Sequence, residues 1–198
     1  MECVREGQAV CAAYYGHPGV LVRPAHETMK RARAEGYPAR MVPAVSSIDC
    51  LICDLGIDPV LGLQIFEATD LMLRQRAVDT TGHVIIMQPP ALGDLGYSFK
   101  GYDQRNLPSL GRYLSQFYPS DHGIISYHAA QFSIDEPKMT EMNVSSLLTE
   151  KLSGGSTLYI PPLRRAPIHL RMLDEYKLEH FLANARLVPL NYRPGDDL

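Results

Sequence analysis

The sequence contains no run of about 18 apolar residues, so it carries no segment of the length a membrane helix needs. It has no excess of basic charge either. Lys and Arg number 19 against 22 Asp and Glu, a formal net charge of −3 with a pI near 6.1. Broad binding to a phosphate backbone needs Lys and Arg in surplus on one face, so no nucleic-acid partner is expected. The first ten residues, MECVREGQAV, mix both signs of charge and hold no long apolar stretch, so they do not read as a secretory signal. A cytoplasmic location is the default. Cysteine is scarce, limited to Cys3, Cys11, Cys50 and Cys53. A chain of this size with an ample apolar complement does not need a disulfide framework. Cys50-Leu-Ile-Cys53 has C-x-x-C spacing, but no second Cys or His pair follows to complete a zinc ribbon. The residues between are apolar, so the pair reads as buried helical cysteines rather than a redox or metal site. No phosphate loop, G-x-G-x-x-G turn or G-x-S-x-G elbow is present. The seven histidines are scattered, with no H-x-x-x-H pair, so metal catalysis has no support.

What is present is an ordinary globular composition: 198 residues, 45% hydrophobic and 21% charged. An apolar run at 8–15 predicts a strand, followed by the turn Tyr14-Tyr15-Gly16-His17-Pro18-Gly19-Val20 and a helix near 25–35 that stops at Gly36. ARMVPAV predicts a second strand. Ser46 and Asp49 form a capping-box pattern for a helix that carries Cys50 to Leu55 and ends at Gly56. Strand and helix alternating with short connections indicate α/β architecture with parallel strands. A strand near Leu63–Glu67 and the helix ATDLMLRQR follow, and the turn-rich stretch 77–82 reads as a domain linker. Beyond it come a buried strand HVIIM, a loop over 90–103, and a helix opened by Asn106 and Pro108 with Leu107, Leu110, Leu114 and Phe117 on one face. GIISYHAAQ and STLYIPPL predict strands on either side of a polar segment. This gives an N-terminal α/β domain at 1–76, a C-terminal α/β domain at 83–165 and a helical tail at 166–198.

Two strand-to-helix turns stand out as candidate sites. They are Tyr15-Gly16-His17-Pro18-Gly19 and Pro43-Ala44-Val45-Ser46-Ser47. In a parallel sheet, ligands gather outside the carboxyl ends of the strands, where such turns lie. Glycine permits close approach of a ligand to the backbone, and serines at a helix start offer hydroxyls and amides. Ordinary turn chemistry uses the same residues, so each turn taken alone is as readily structural.

The stretch from YGHPGVLVRP through PAVSSIDCLICDLGIDP, continued by QIFEATDLMLRQR, HVIIMQ, GDLGY, YPSDHGIISYHAAQF and STLYIPPL, resembles the tetrapyrrole methylase family over about residues 5–165. It is most similar to the branch containing the borosin peptide-backbone N-methyltransferases. The resemblance implies two α/β domains with S-adenosylmethionine held between them. It also implies that Tyr15, Gly16, His17, Pro18 and Val20 lie along the cofactor, with Ser46 and Ser47 at a second turn. Gln88, Ser156, Thr157 and Leu158 would contribute from the second domain. The implied methyl acceptor is a peptide or small molecule, and the implied assembly a homodimer. Two departures bear on this. Ala44 stands where the family turn usually has Gly, which is tolerable only without positive φ. The family's first strand and Gly-rich turn have no counterpart here, and an edge of the sheet would then be exposed. The tyrosines and arginine of borosin enzymes that activate the peptide amide lie mainly in that upstream region. No catalytic residue is therefore assigned, although Tyr97 and Tyr102 are available by sequence position. The alternatives to peptide N-methylation are a cofactor-binding homologue without activity and a porphyrinoid methylase, whose usual G-D-P turn YGHPG does not match.

Overall fold

The structure, a computed structural model, describes residues 1–180 apart from 95, 97, 99, 133 and 179. The chain packs as two compact units, Met1–Cys53 and Asp54–Leu198.

The first unit is built from helices and turns. Helix α1 is the short Glu2–Arg5, and α2 is Arg23–Ala34, with Pro24 in its first turn. Pro is suited there because its missing N–H would have no partner in any case. The α2 terminus closes with paired bonds, Gly36 N–H to the Arg33 carbonyl at 3.1 Å and Tyr37 N–H to the Ala32 carbonyl at 2.9 Å. Gly36 takes φ +81°, as this cap requires. Arg5 bonds both carboxylate oxygens of Glu35, at 2.8 and 2.6 Å, and so ties α1 to the end of α2. Helix α3, Ser47–Leu55, starts on the expected capping box. Asp49 accepts from the Ser46 amide and hydroxyl, both at 2.7 Å, while Ser46 Oγ accepts from the Asp49 amide at 3.4 Å.

No strand forms at 8–15 or 39–45, contrary to expectation. A strand needs a neighbour to take its backbone hydrogen bonds. Neither segment pairs, and their apolar side chains face water: Val10, Val42 and Val45 are 58%, 59% and 66% exposed. The Cys pair is helical as expected but not buried, with Cys50 half-buried and Cys53 exposed.

The second unit is a sheet with helices on one face. Its strands are β1 Leu63–Glu67, β2 His83–Met87, β3 Gly123–His128, β4 Lys138–Asn143 and β5 Thr157–Ile160, in the order β1-β2-β5-β3-β4. Among the described residues only β1 and β2 run parallel, and the remaining pairs are antiparallel, so the sheet is mixed rather than parallel. Glu67 ends β1 and caps α4, Ala68–Arg74, by accepting from the Thr69 and Asp70 amides at 2.9 and 2.8 Å. The register Phe66–Ile86–Leu158–Ser126 runs across the sheet. Alternation then sorts the side chains into two faces. Val84, Ile86, Ile124, Leu158 and Ile160 join α4 and α5, Leu107–Leu114, in one core with Leu71, Leu110 and Leu114. The opposite face carries His83, Ile85, Met87, Tyr127, Thr157 and Tyr159, all buried.

The stretch 77–82 does not separate the units. It joins β1 to β2 inside one sheet, and the division falls between Cys53 and Asp54. The apolar strand HVIIM finds its partner in LQIFE, which draws the stretch before it into the second unit. Gln64 on β1 holds this connection by its side chain, donating to the Asp79 carbonyl at 2.7 Å and accepting from the Asp79 amide at 2.9 Å. Gln104 does the same to Leu152, at 2.7 and 2.8 Å. Asn106 precedes α5 but does not cap it through its side chain, which donates instead to the Leu92 carbonyl at 3.0 Å. The segment taken as polar contains β4. Of the tail, α6 spans Leu170–Tyr176, and residues 181–198 lie outside the described residues. No helix among the described residues is long and apolar enough to cross a membrane.

Candidate functional site

The sequence-predicted site residues fall into two groups, one in each unit. In the first unit, the Gly16 and Val45 turns lie side by side. Gly16 has φ +73°, and a Cβ there would sit 3.7 Å from the Val45 carbonyl oxygen. Glycine serves this corner because its φ strains other residues. Tyr15, at 86% exposure, presents its ring to solvent, while His17, Pro18 and Val20 are half-buried. Val20 donates its amide to the His17 carbonyl at 3.1 Å, which closes the turn. Ser46 is buried and committed to Asp49, whereas Ser47 is exposed at the start of α3. Ala44 is not among the residues of positive φ, so the condition on replacing glycine there is met.

The Ser46 hydrogen bonds, backbone first and then hydroxyl, hold the Asp49 carboxyl below its ordinary range, and the nearby His17 adds to this. The carboxylate so favoured is the form that caps α3.

In the second unit, Gln88 follows β2 in the left-handed region, φ +57°, with its side chain exposed. Ser156 and Thr157 are buried beside it at the start of β5. Ser156 Oγ shares a 2.7 Å hydrogen bond with Ser153 Oγ, and Thr157 Oγ1 donates to Met87 Sδ at 3.9 Å. Leu158 is fully buried and faces the helical core, so it contributes packing. Tyr102 is half-buried and donates to the Gly96 carbonyl at 3.5 Å. Tyr97 lies outside the described residues. Two open cavities, one lined by Met1, Arg5 and Arg31 and one by His128, Asp135 and Lys138, include none of the predicted residues. Among the described residues no group of three or more His, Cys, Asp or Glu could hold a metal.

Two features were missed in the sequence. One is His26, whose Nε2 lies 2.9 Å from the Gly19 carbonyl. The other is a polar set on the second sheet face, buried except for the exposed Asp54. His83 Nδ1 is hydrogen-bonded to the Tyr159 hydroxyl at 2.8 Å, and Tyr127 donates to the Asp54 carboxylate at 2.5 Å. Burial lowers the His83 pKa, and its Nε2 has no hydrogen-bond partner among the described residues. The signal for this set was the polar residue at alternate positions of otherwise apolar strands, His83 in HVIIM and Tyr159 in TLYI.

The architecture is that of a class of α/β methylases. A uroporphyrin-III-C-methyltransferase from Thermus thermophilus aligns with 88% of this chain and 67% of its own, at a TM-score of 0.56 and 17% identity. A second uroporphyrin-III-C-methyltransferase structure from Thermus thermophilus, complexed with S-adenosyl homocysteine, aligns with 73% of this chain and 62% of its own, at 0.51 and 12%. Residues 1–130 match the model of the tetrapyrrole (corrin/porphyrin) methylases, and the chain belongs to that family.

The chain is also similar in sequence to several cyclic-peptide precursors that carry a methyltransferase. The methyltransferase/ribosomally synthesized cyclic peptide dendrothelin A precursor of Dendrothele bispora is 38% identical over 86% of this chain and 43% of its own length. The corresponding omphalotin A precursor of Omphalotus olearius is 36% identical over 98% of this chain and 51% of its own. A type III borosin cyclic peptide precursor of Anomoporia bombycina is 38% identical over 84% and 20%. The chain thus spans about half, or less, of these relatives.

Proposed function

We propose that this chain is an S-adenosylmethionine-dependent methyltransferase acting on a peptide, with a backbone amide as the methyl acceptor. The observation that carries the reading is the placement of the Gly16 turn against the Val45 carbonyl, directly before the capped start of α3. The corner at Gly16 keeps its Cβ position open, the Tyr15 ring is exposed for stacking, and Ser47 offers a hydroxyl. These groups suit a nucleoside with polar substituents, so the residues present fit the cofactor.

When bound, the cofactor supplies a sulfonium methyl that is already electrophilic. The protein's task is then to align acceptor and methyl group and to stabilise the charge developing on a weak nucleophile. Tyr15, Gly16, His17, Pro18, Val20, Ser46 and Ser47 form the proposed contribution of the first unit. Gln88, Ser156 and Thr157 are proposed separately from the second, while the expected contribution of Leu158 is withdrawn because its side chain packs in the helical core. The peptide acceptor is supported by relatives whose names join a methyltransferase to a cyclic-peptide precursor. A homodimer is proposed on the family resemblance.

Calorimetry with S-adenosylmethionine tests the first half, and mass spectrometry of a co-expressed acceptor peptide tests the second. Saturable binding and a mass gain of one methyl group on the peptide backbone are expected. Absence of binding at millimolar cofactor overturns the site. Binding with methyl transfer to a porphyrinoid and none to peptide overturns the acceptor.

A further inference from the structure

Gly19 is gripped by two histidines, one on each of its backbone polar groups. Its N–H donates to His17 Nδ1 at 2.9 Å, and its carbonyl accepts from His26 Nε2 at 2.9 Å. A carbonyl has no proton to give, so His26 carries its proton on Nε2; an amide has no lone pair to offer, so His17 Nδ1 is bare. The His17 ring lies against the glycine, since a Cβ at position 19 would stand 2.9 Å from His17 Cε1 and 3.4 Å from Met41 Sδ. Two residues further on, Leu21 is exposed and takes φ +57°, a left-handed conformation that leucine resists. Such a conformation persists where its surroundings hold it. The grip lies immediately before Leu21, and His26 belongs to the first turn of α2, outside the turn motif itself.

We infer that His26 is a positioning residue for the Gly16–Val20 turn, acting with His17 to fix the backbone on both sides of Gly19, and that the turn is set only while His17 Nδ1 is unprotonated. The inference rests on the cofactor reading above. Protonation at Nδ1 replaces the acceptor by a second donor facing the Gly19 N–H, which turns the Pro18–Gly19 peptide away. The charged group facing His17 is Asp49 on α3, and the other titratable group at Gly19 is His26 on α2. Cofactor affinity is therefore set by pH through the shape of the turn, without any change in the ligand's own contacts.

The test combines calorimetry using S-adenosyl homocysteine with amide and imidazole NMR of the free chain, from about pH 8 to about pH 5.5, the span in which histidines change charge. His26→Ala should bind roughly fivefold more weakly at the upper pH, the effect of one lost hydrogen bond. His26→Gln retains a donor and should recover most of that loss. His17→Asn retains an acceptor that closes the same two-residue turn but does not titrate. Whatever affinity it has at the upper pH, it should keep that affinity at the lower one. His26→Ala binding as tightly as the natural chain overturns the inference, as does a pH response in His17→Asn equal to the natural one. If the natural chain binds no cofactor, the cofactor reading fails by itself. The Gly19 amide shift, which should differ between the two ends of the pH span in the natural chain and stay fixed in His17→Asn, still decides the grip. A Gly19 amide that does not move overturns it.

Discussion

Between residues 8 and 16 every side chain is exposed, whereas all five residues of β2 are buried. The first unit holds its shape by naming a partner for each turn: Arg5 for Glu35, Ser46 for Asp49, two histidines for Gly19. The second holds its shape by packing one apolar sheet face beneath two helices. The contrast separates two kinds of dependence. A turn fixed by two or three hydrogen bonds can be retuned by one proton or one ligand. A close-packed sheet cannot be retuned without being broken.

Substitutions in each unit test this division, and the largest effect is expected in the second. Leu110→Ala removes a fully buried side chain from α5 and should cost about 3 kcal/mol by denaturant titration. A loss below about 1 kcal/mol would mean that the core is not close-packed there. Tyr127→Phe leaves the exposed Asp54 carboxylate to water and should cost about 1 kcal/mol, the net worth of one hydrogen bond. Asp49→Ala removes the α3 cap and should cost about 1 kcal/mol, while weakening cofactor binding by more than Leu110→Ala does. If both variants weaken binding in proportion to lost stability alone, the division fails.

Two pH profiles sharpen the comparison further. The Asp49 carboxyl is held below its unfolded range, so its contribution is present above about pH 4 and is lost as the pH falls through the folded value. The natural chain should show this loss and Asp49→Ala should not. Burial lowers the folded pKa of His83, so the unfolded chain binds the proton first as the pH falls. Its stabilising contribution is full above about pH 6.5 and declines below it. His83→Phe should flatten that part of the stability profile, and an unchanged slope would assign it to other groups. The smallest effect is expected at Gln88→Gly, which relieves φ +57° and should change stability by no more than about 1 kcal/mol.

What the sequence disclosed and what it concealed follow the same line. The Ser46–Asp49 cap, the Gly36 stop, β1, β2, β3, β5 and the α5 stripe were legible because each is written in residues close together along the chain. The strands expected at 8–15 and 39–45 were not formed, because an apolar run specifies burial only if another strand is there to receive it. Strand β4 was concealed by its own edge position, where Lys138 and Glu141 give it the polarity of a loop. Of the candidate site, both turn motifs were legible from Gly, Pro and Ser. The His26 contact was not, since it joins a side chain to a backbone carbonyl seven residues back and leaves no pattern of residue types.

Gln64 and Gln104 each offer a primary amide to a backbone amide, the way one strand offers its edge to the next. Each acts as a single counterfeit rung, extending the ladder sideways without another strand. A rung of this kind reads no side chain on the segment it grips. The stretches around Asp79 and Leu152 are therefore released, as far as this tether is concerned, from any demand on their lettering except that neither gripped residue be proline. All of that demand is transferred to the two glutamines, where even Glu would offer no N–H to the carbonyl opposite.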